Sequence, residues 1–144
     1  MEAREIMPSA RLGSEDRSVL LTVSSDLNDT RTLQAYLDEW TVRSVQTCAE
    51  ALGSLRRSSC SVVICERELP DGNWQDLLSA MSGLQQAPPL IVMSRLADEA
   101  LWADVLRQGG FDVVSKPLEK IEVRRVFSGA TRWTSRCKAF AQAS

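Results

Sequence analysis

The residues of this chain with the greatest capacity for chemistry follow short apolar runs. Glu66 comes directly after Val-Val-Ile-Cys, Ser94 ends the run Leu-Ile-Val-Met-Ser, and Lys116 follows Val-Val-Ser and precedes a proline. A carboxylate beside an ammonium group forms a strong ion pair, and carboxylate and hydroxyl oxygens are ligands for hard cations such as Mg²⁺. The question is whether Glu66 is a catalyst, a cation ligand or a fixed charge.

A second polar group, Ser24, Ser25 and Asp26, follows an apolar run that ends at Val23. Asp26 is also well placed to cap a helix, because a short acidic side chain just before a helix accepts hydrogen bonds from the free backbone N–H groups of its first turn. The sequence leaves open whether Asp26 is a cap or contributes to a cation site.

Several common chemistries lack their residues here. The sequence has no histidine and no C-x-x-C pair, so zinc sites and histidine-dependent catalysis are not expected. The Gly-rich motifs of dinucleotide-binding and P-loop proteins are also missing. We therefore expect no catalytic residue, no metal ligand and no enzymatic activity. We interpret all four cysteines as structural: Cys48, Cys60, Cys65 and Cys137.

The composition is that of an ordinary globular protein. The chain has 144 residues, 44% of them hydrophobic and 25% charged, with a formal net charge of −2. A slightly acidic chain does not favour binding to nucleic acid or to an anionic membrane surface. No apolar run approaches the ~20 residues that span a bilayer, and no secretory signal is visible, so the cytoplasm is the expected location.

Apolar runs of strand length alternate with stretches of helical periodicity five times. The predicted strands are SVLLTV, TVRSVQT, CSVVICE, LIVMS and FDVVSKP. The predicted helices are TRTLQAYLDEW, CAEALGSLRRS, NWQDLLSAM, ADEALWADVLRQGG and LEKIEVRRVFSGATRW. This alternation predicts an α/β fold, a doubly wound parallel sheet of five strands with helices on both faces. Ligand sites of such sheets lie at the carboxyl ends of the strands, where we expect Glu66, Ser94 and Lys116 to converge.

Helical spacing assigns faces to two of these helices. In the first helix the apolar positions are Leu33, Tyr36, Leu37 and Trp40. In the fourth helix, Leu101, Val105 and Leu106 are expected to face the sheet, which leaves Trp102 near the rim.

The chain divides into three segments. Residues 1–17 are polar and without a sustained period, so we predict a flexible N-terminal tail. Residues 18–132 contain all the predicted strands and form the domain. Residues 133–144 are predicted to extend the last helix or to form a C-terminal tail.

The order of the strand ends, with ELPDG after the third strand and SKP after the fifth, resembles the receiver domain of bacterial two-component response regulators. The resemblance covers residues 18–132. It implies the flavodoxin-like fold with strand order 2-1-3-4-5, and a role in phosphorelay signal transduction.

The resemblance also implies roles for the strand-end residues. In the family the third strand ends in the aspartate that accepts a phosphoryl group, and Glu66 stands in that place here. Two acidic residues after the first strand hold Mg²⁺ with that aspartate. The matching residues are Ser24 and Ser25, with Asp26 next in line.

Three further positions match the family's switch residues. The hydroxyl after the fourth strand matches Ser94, and the lysine before a cis-proline peptide matches Lys116, followed by Pro117. The aromatic residue of the fifth strand is replaced by Val113. The resemblance therefore implies an atypical, degenerate receiver (a pseudo-receiver), in which the lysine and the hydroxyl are kept while the acceptor and metal-binding acids are changed.

Three functions remain open. The favoured one is a receiver-like domain that is not phosphorylated at the usual position and acts by binding another protein. In it Glu66, and Asp26 with it, faces Lys116 in an ion pair that needs no Mg²⁺. The second is a residual phosphoacceptor that uses Mg²⁺ held by Asp26 and Glu66, or that is phosphorylated at a serine. The third is an inert scaffold or dimerisation module, in which Glu66 is a solvated residue of a decayed pocket.

The resemblance implies a protein partner, either a histidine kinase or an output protein. It also implies a homodimer through the face formed by the fourth helix, the fifth strand and the fifth helix, where Trp102, Arg124 and Arg125 are the predicted interface residues. The basic cluster of the last helix comprises Arg124, Arg125, Arg132, Arg136 and Lys138. Its acidic counterpart lies in ADEALWAD, so the two segments can meet across a dimer. No nucleic-acid or membrane partner is expected.

Overall fold

The computed structural model describes the backbone of residues 18–143 and the side chains of residues 18–133. The predicted N-terminal tail, residues 1–17, lies outside the described residues. The side chains of Arg136, Cys137 and Lys138, for which predictions were also made, lie outside them as well. Within the described part, strands and helices alternate along the chain in the predicted order.

Five parallel strands form the sheet. They are β1 (Val19–Val23), β2 (Thr41–Val45), β3 (Val62–Glu66), β4 (Leu90–Ser94) and β5 (Asp112–Ser115). Their order across the sheet is β2-β1-β3-β4-β5, and every neighbouring pair is parallel. The predicted fold class, a doubly wound flavodoxin-like sheet, is confirmed.

In the described part of the chain, five helices accompany the sheet. They are α1 (Leu27–Tyr36), α2 (Cys48–Arg57), α3 (Trp74–Met81), α4 (Glu99–Arg107) and α5 (Lys120–Ala143). None of the helices among the described residues has the length and apolar character needed to cross a membrane.

The first helix differs from the sequence prediction at both ends. The predicted helix runs from Thr30 to Trp40, whereas α1 begins at Leu27 and ends at Tyr36. Trp40 lies in the turn before β2. The ring of Trp40 packs edge-on against Phe127 of α5, with centroids 5.4 Å apart. The helical spacing is misleading here because Trp40 is buried by its contact with α5 and not by membership of α1.

The two faces of the sheet bury two separate apolar layers, because successive side chains of a strand point to opposite faces. Leu21 and Val23 of β1 pack on the side of α2, α3 and α4, together with Leu77 of α3. Leu20 packs on the other side with Phe127 of α5. Strands β3 and β4 are covered on both faces, which explains their continuous apolar runs.

The predicted face of α4 is correct except at one residue. Leu101 and Val105 are buried against the sheet, whereas Leu106 is 38% exposed and the prediction for it is wrong. Neighbouring residues of a helix are rotated by about 100° from each other, so Leu106 turns away from the narrow stripe of α4 that the sheet covers. Trp102 lies at the rim as predicted, with 49% of its surface exposed.

The turn after β3 ties this strand to α2. It folds back as a hairpin in which Glu68–Leu69 pairs with Gly72–Asn73. The carboxylate of Asp71, at the tip, accepts hydrogen bonds from the backbone N–H groups of Cys48 (2.8 Å) and Ala49 (3.1 Å) at the start of α2. These bonds hold the pKa of Asp71 below its ordinary value.

Candidate functional site

The strand-end residues converge at the carboxyl edge of the sheet. Glu66 is the last residue of β3, and Lys116 follows β5 directly. The backbone N–H of Lys116 donates to the carbonyl oxygen of Ser94 (3.0 Å), which continues the pairing of β5 with β4. From this position the side chain of Lys116 extends past β4 and reaches the carboxylate of Glu66.

Lys116 forms ion pairs with two carboxylates. Its Nζ lies 2.8 Å from Glu66 Oε2 and 2.9 Å from Asp29 Oδ2. The side chains of Lys116 and Asp29 are each 7% exposed, and that of Glu66 is 21% exposed. Burial by itself lowers the pKa of Lys116, but the hydrogen bonds to Glu66 and Asp29 outweigh it and raise this pKa above the ordinary value of a lysine. The ammonium group is therefore charged at neutral pH.

Asp29 is the pocket residue that sequence reasoning missed. It lies in the first turn of α1 and is nearly buried, and its Oδ2 also accepts a hydrogen bond from Ser24 Oγ (2.8 Å). The predicted helix begins at Thr30, one residue too late to include Asp29. The available signal was Asp26, because a helix capped by that residue brings Asp29 into its first turn beside the end of β1.

The three residues after β1 have separate roles. Ser24 is fully buried, and its Oγ accepts a hydrogen bond from the backbone N–H of Asp26 (3.0 Å) while donating to Asp29. The carboxylate of Asp26 accepts a hydrogen bond from the backbone N–H of Asn28 in the first turn of α1 (2.9 Å), so Asp26 caps this helix. Ser25 is exposed. The second acid that faces Lys116 is therefore Asp29 and not Asp26.

Two of the three positions matched to the family's switch residues, Ser94 and Val113, are buried. Ser94 Oγ accepts a hydrogen bond from the backbone N–H of Leu96 (3.0 Å), so this hydroxyl supports the loop between β4 and α4. Val113 is 8% exposed and belongs to the apolar layer under α2, α3 and α4. The peptide bond between Lys116 and Pro117 is cis, as the resemblance implies.

The donor set of this pocket does not suit Mg²⁺. That ion prefers nearly octahedral oxygen coordination and retains its water tightly. Here Asp29 and Glu66 each direct an oxygen to the ammonium of Lys116, and the hydroxyl of Ser24 donates its proton to Asp29. Among the residues that the structure describes, no group of three potential acidic, histidine or cysteine ligands comes together. The ammonium supplies the positive charge between the two carboxylates.

The predicted interface residues lie apart from the pocket. Trp102 and Arg125 are exposed to solvent. Arg124 is instead engaged within the chain, because its Nη2 lies 2.7 Å from Glu39 Oε2 and its Nη1 donates to the carbonyl oxygen of Tyr36 (2.8 Å). The hydrogen bond from Arg124 lowers the pKa of Glu39 to about 2. Arg124 thus connects α5 with the end of α1.

The described cysteines are free thiols. Burial raises the pKa of Cys48 and of Cys60 to about 11, and that of Cys65 still further. A thiol with such a pKa is almost never a thiolate at neutral pH, and the thiolate is the reactive form. These three residues fit the structural interpretation.

Known proteins share this architecture. The signal receiver domain of an HD domain-containing protein from Pseudomonas fluorescens Pf-5 superimposes with a TM-score of 0.77 at 21% identity, over 85% of this chain and 93% of that one. A two-component response regulator from Clostridium difficile gives 0.73 at 20% identity, over 81% and 97%. NtrX from Brucella abortus gives 0.81 at 14% identity, over 89% of this chain and 30% of that one. No curated protein gives a significant match by sequence.

At these identities the superpositions show the fold alone, and the sequence match shows the family. The model of the response regulator receiver domain matches residues 24–127, which is well over half of the chain. The matched region includes all four residues of the hydrogen-bonded pocket: Ser24, Asp29, Glu66 and Lys116. The chain therefore belongs to the family of response regulator receiver domains, which act in two-component signalling.

Proposed function

We propose that this receiver domain is an atypical member of its family, one that is not phosphorylated at the usual position and acts by binding another protein. The observation that carries the proposal is the ammonium of Lys116, which lies 2.8 Å from Glu66 and 2.9 Å from Asp29. Because the two carboxylates already share a cation, the pocket does not need Mg²⁺ to offset their repulsion.

Two physical arguments disfavour phosphoryl transfer to Glu66. Glutamate is one methylene longer than aspartate, which displaces the attacking oxygen by about 1 Å, and a misplacement of that size costs on the order of a hundredfold in rate. The reaction also depends on a divalent cation to neutralise the charge on the phosphoryl group. Ser24 and Ser25 are neutral and therefore weak ligands for that cation. The proposal includes no enzymatic activity.

Glu66 acts in this proposal as a permanent negative charge. A single carboxylate brings less charge than a phosphoryl group, which carries about −1.5 to −2 at pH 7. Asp29 adds a second carboxylate on the same ammonium. Together the two acids hold Lys116 with a charge close to that of a phosphorylated aspartate, so the domain stays in one state instead of switching.

The proposed partner surface is the face of α4, β5 and α5. Receiver domains interact with kinases and output domains, and a histidine kinase, an output protein or a second copy of this chain are the partners that this face would meet. Trp102 and Arg125 are exposed there, and both residue types are enriched in protein interfaces. A location in the cytoplasm is part of the same proposal.

The first test is an amide NMR titration of the labelled protein with Mg²⁺ and then with beryllofluoride, which mimics an acyl phosphate. We expect no saturating shifts at Ser24, Glu66 or Lys116 at millimolar Mg²⁺. The matched control is the triple variant S24D/S25D/E66D, which restores the family's acids in the same pocket and should respond to both reagents. Saturating shifts in the unsubstituted protein would overturn the proposal in favour of a residual phosphoacceptor.

A second test separates the proposal from an inert scaffold. Glu66→Gln removes the charge with almost no change of shape, so its effect reports on the ion pair. We expect amide shifts in β5 and α5, because Lys116 loses one of its two partners. Shifts confined to the immediate neighbours of Glu66, together with unchanged stability, would favour the scaffold.

A further inference from the structure

Helix α1 holds the loop after β5 from both ends of the helix. At its start, Asp29 Oδ2 accepts a hydrogen bond from Lys116 Nζ (2.9 Å). At its end, the hydroxyl of Tyr36 donates to the carbonyl oxygen of Leu118 (3.1 Å), just beyond Lys116 along the chain. Two side chains about two helical turns apart therefore fix the loop that carries the pocket's ammonium group.

The contacts of Tyr36 continue to the last helix. Its carbonyl oxygen accepts a hydrogen bond from Arg124 Nη1 (2.8 Å), and the same guanidinium group binds the carboxylate of Glu39 (2.7 and 3.1 Å). The ring of Trp40, which follows Glu39, packs edge-on against Phe127 of α5. A series of direct contacts thus leads from the loop after β5 to the end of α1 and to the part of α5 packed there.

The side chains of the pocket make no comparable connection toward α4. The hydroxyl of Ser94 accepts a hydrogen bond from the backbone N–H of Leu96, and in the described part of the chain it shares no partner with the ammonium of Lys116. Val113 occupies the position of the family's aromatic residue and has neither a ring nor a hydroxyl group. The side-chain hydrogen bonds that start at Lys116 therefore lead to α1.

A change of charge at Glu66 acts first on this connection. When Glu66 is uncharged, Asp29 keeps a charge-assisted hydrogen bond to Lys116, which is about twice as strong as a neutral one. The ammonium then moves toward Asp29, and the loop that carries it displaces the carbonyl oxygen held by Tyr36. Because a helix moves as a rigid element, the displacement reaches the end of α1.

We infer that Tyr36 couples the charge state of the pocket to the end of α1, where Trp40 and Arg124 contact α5. Tyr36 is a positioning residue, because it binds the loop and not the ion pair itself. A partner on the α4 side of the molecule then binds without sensing the charge of the pocket. The inference goes beyond the proposed function, since it concerns where a change in the pocket is felt, whether or not the pocket accepts a phosphoryl group.

The test is a double-mutant cycle read from the indole N–H resonances of the ¹⁵N-labelled full chain. Trp40 lies at the end of α1 and Trp102 on α4, so the two rings report on the two directions. We expect Glu66→Gln to shift the resonance of Trp40 and to leave that of Trp102 in place. In the background of Tyr36→Phe, which removes the hydroxyl and keeps the ring, Glu66→Gln should lose most of its effect on Trp40.

Thr131→Val is the matched control background. Thr131 also donates its hydroxyl to a backbone carbonyl oxygen, that of Phe127 (2.9 Å), but this bond lies within α5. In this background Glu66→Gln should shift Trp40 as it does in the unsubstituted protein. The cycle therefore separates the loss of one hydroxyl-to-carbonyl bond from the loss of the bond that holds the loop.

Three results would overturn the inference. The first is a shift of Trp40 that survives Tyr36→Phe undiminished, which is expected if Tyr36 only supports the fold. The second is a shift of Trp102 as large as that of Trp40. The third is a response to Glu66→Gln that is confined to β5 and α5 and leaves Trp40 in place. The third result leaves the proposed function standing, because the failure of that proposal is read from the Mg²⁺ titration.

Discussion

Lys116 determines the charge balance of the pocket, because its ammonium is shared by two carboxylates that are mostly withdrawn from water. Removing one member of a buried ion pair costs more than the pair itself contributes, since the remaining charge keeps its desolvation penalty and loses its partner. Without Lys116, two like charges would face each other. The pocket is therefore more sensitive to the loss of its cation than to the loss of either acid.

We expect Lys116→Met to lower the free energy of unfolding by about 3 kcal/mol, measured by urea denaturation. Methionine preserves the length and apolar stem of the lysine, so the loss reports on charge. The double variant with Asp29→Asn should lose less than the sum of the two single losses, since the residues are in direct contact. A loss below about 1 kcal/mol would mean that the pair behaves as an exposed one.

The pH dependence of this contribution follows from the raised pKa of Lys116. A cation stabilised by folding contributes fully below its unfolded pKa, which for lysine is about 10.4, and its contribution is lost as the pH rises through the higher folded value. The difference in urea midpoint between the unsubstituted protein and Lys116→Met should stay constant from neutral pH to about pH 10.4 and shrink as the pH rises from there through the folded pKa. A difference that already shrinks near pH 8 would contradict the raised pKa.

At the scale of elements, one carboxylate in the turn after β3 holds the start of α2. Asp71 binds the first backbone N–H groups of α2, where the helix dipole favours negative charge. The hairpin after β3 and the start of α2 therefore hold each other in place, beside the strand that carries Glu66.

We expect Asp71→Asn to lower the melting temperature, because the charge on the helix start is lost. The pKa of Asp71 is lowered, so its contribution is present above the ordinary aspartate value of about 3.9 and lost as the pH falls through the lowered one. The difference in Tm between protein and variant should shrink accordingly in acid. Glu68→Gln, an exposed change in the same hairpin, is the control, and equal behaviour of the two variants would contradict the helix contact.

Two tryptophans, one on α3 and one on α4, are expected to respond very differently to truncation. Trp74, at the start of α3, is 4% exposed, whereas Trp102 of α4 is 49% exposed. Trp74→Ala should cost about 3–5 kcal/mol of unfolding free energy, and Trp102→Ala should change it by no more than about 0.5 kcal/mol. A large loss at Trp102 would mean that this side chain supports the fold instead of being available to a partner.

Across the whole molecule, burial falls from the centre of the sheet to its edges. Strand β4 is buried at all five positions, while the edge strand β2 has no fully buried residue. Amide hydrogen exchange should therefore be slowest in β1, β3 and β4 and faster in β2, because exchange reports local opening. Equal protection of β2 and β4 in the full chain would contradict this order.

The sheet could be predicted from sequence because runs such as Leu90–Ser94 are long, apolar and clearly bounded. The pocket could be predicted only in part. The contact between Glu66 and Lys116 follows from their places at strand ends. The place of Asp29 depends instead on where α1 begins, and a sequence pattern locates the ends of a helix less precisely than its presence. Leu106 shows a related limit, since helical spacing defines a face but not how much of it the sheet covers.

Helix α1 and the turn that follows it are hydrogen-bonded to residues 116–124 at three levels. Asp29 meets Lys116 across 87 residues, Tyr36 donates its hydroxyl to the carbonyl oxygen of Leu118 (3.1 Å) across 82, and Arg124 meets Glu39 across 85. A ribosome adds roughly 5–20 residues per second, so Asp29 is made several seconds before its cation. During synthesis Asp29 and Glu66 are therefore both made before Lys116. A nascent chain that stops before the last strand lacks the ammonium group that neutralises these two carboxylates.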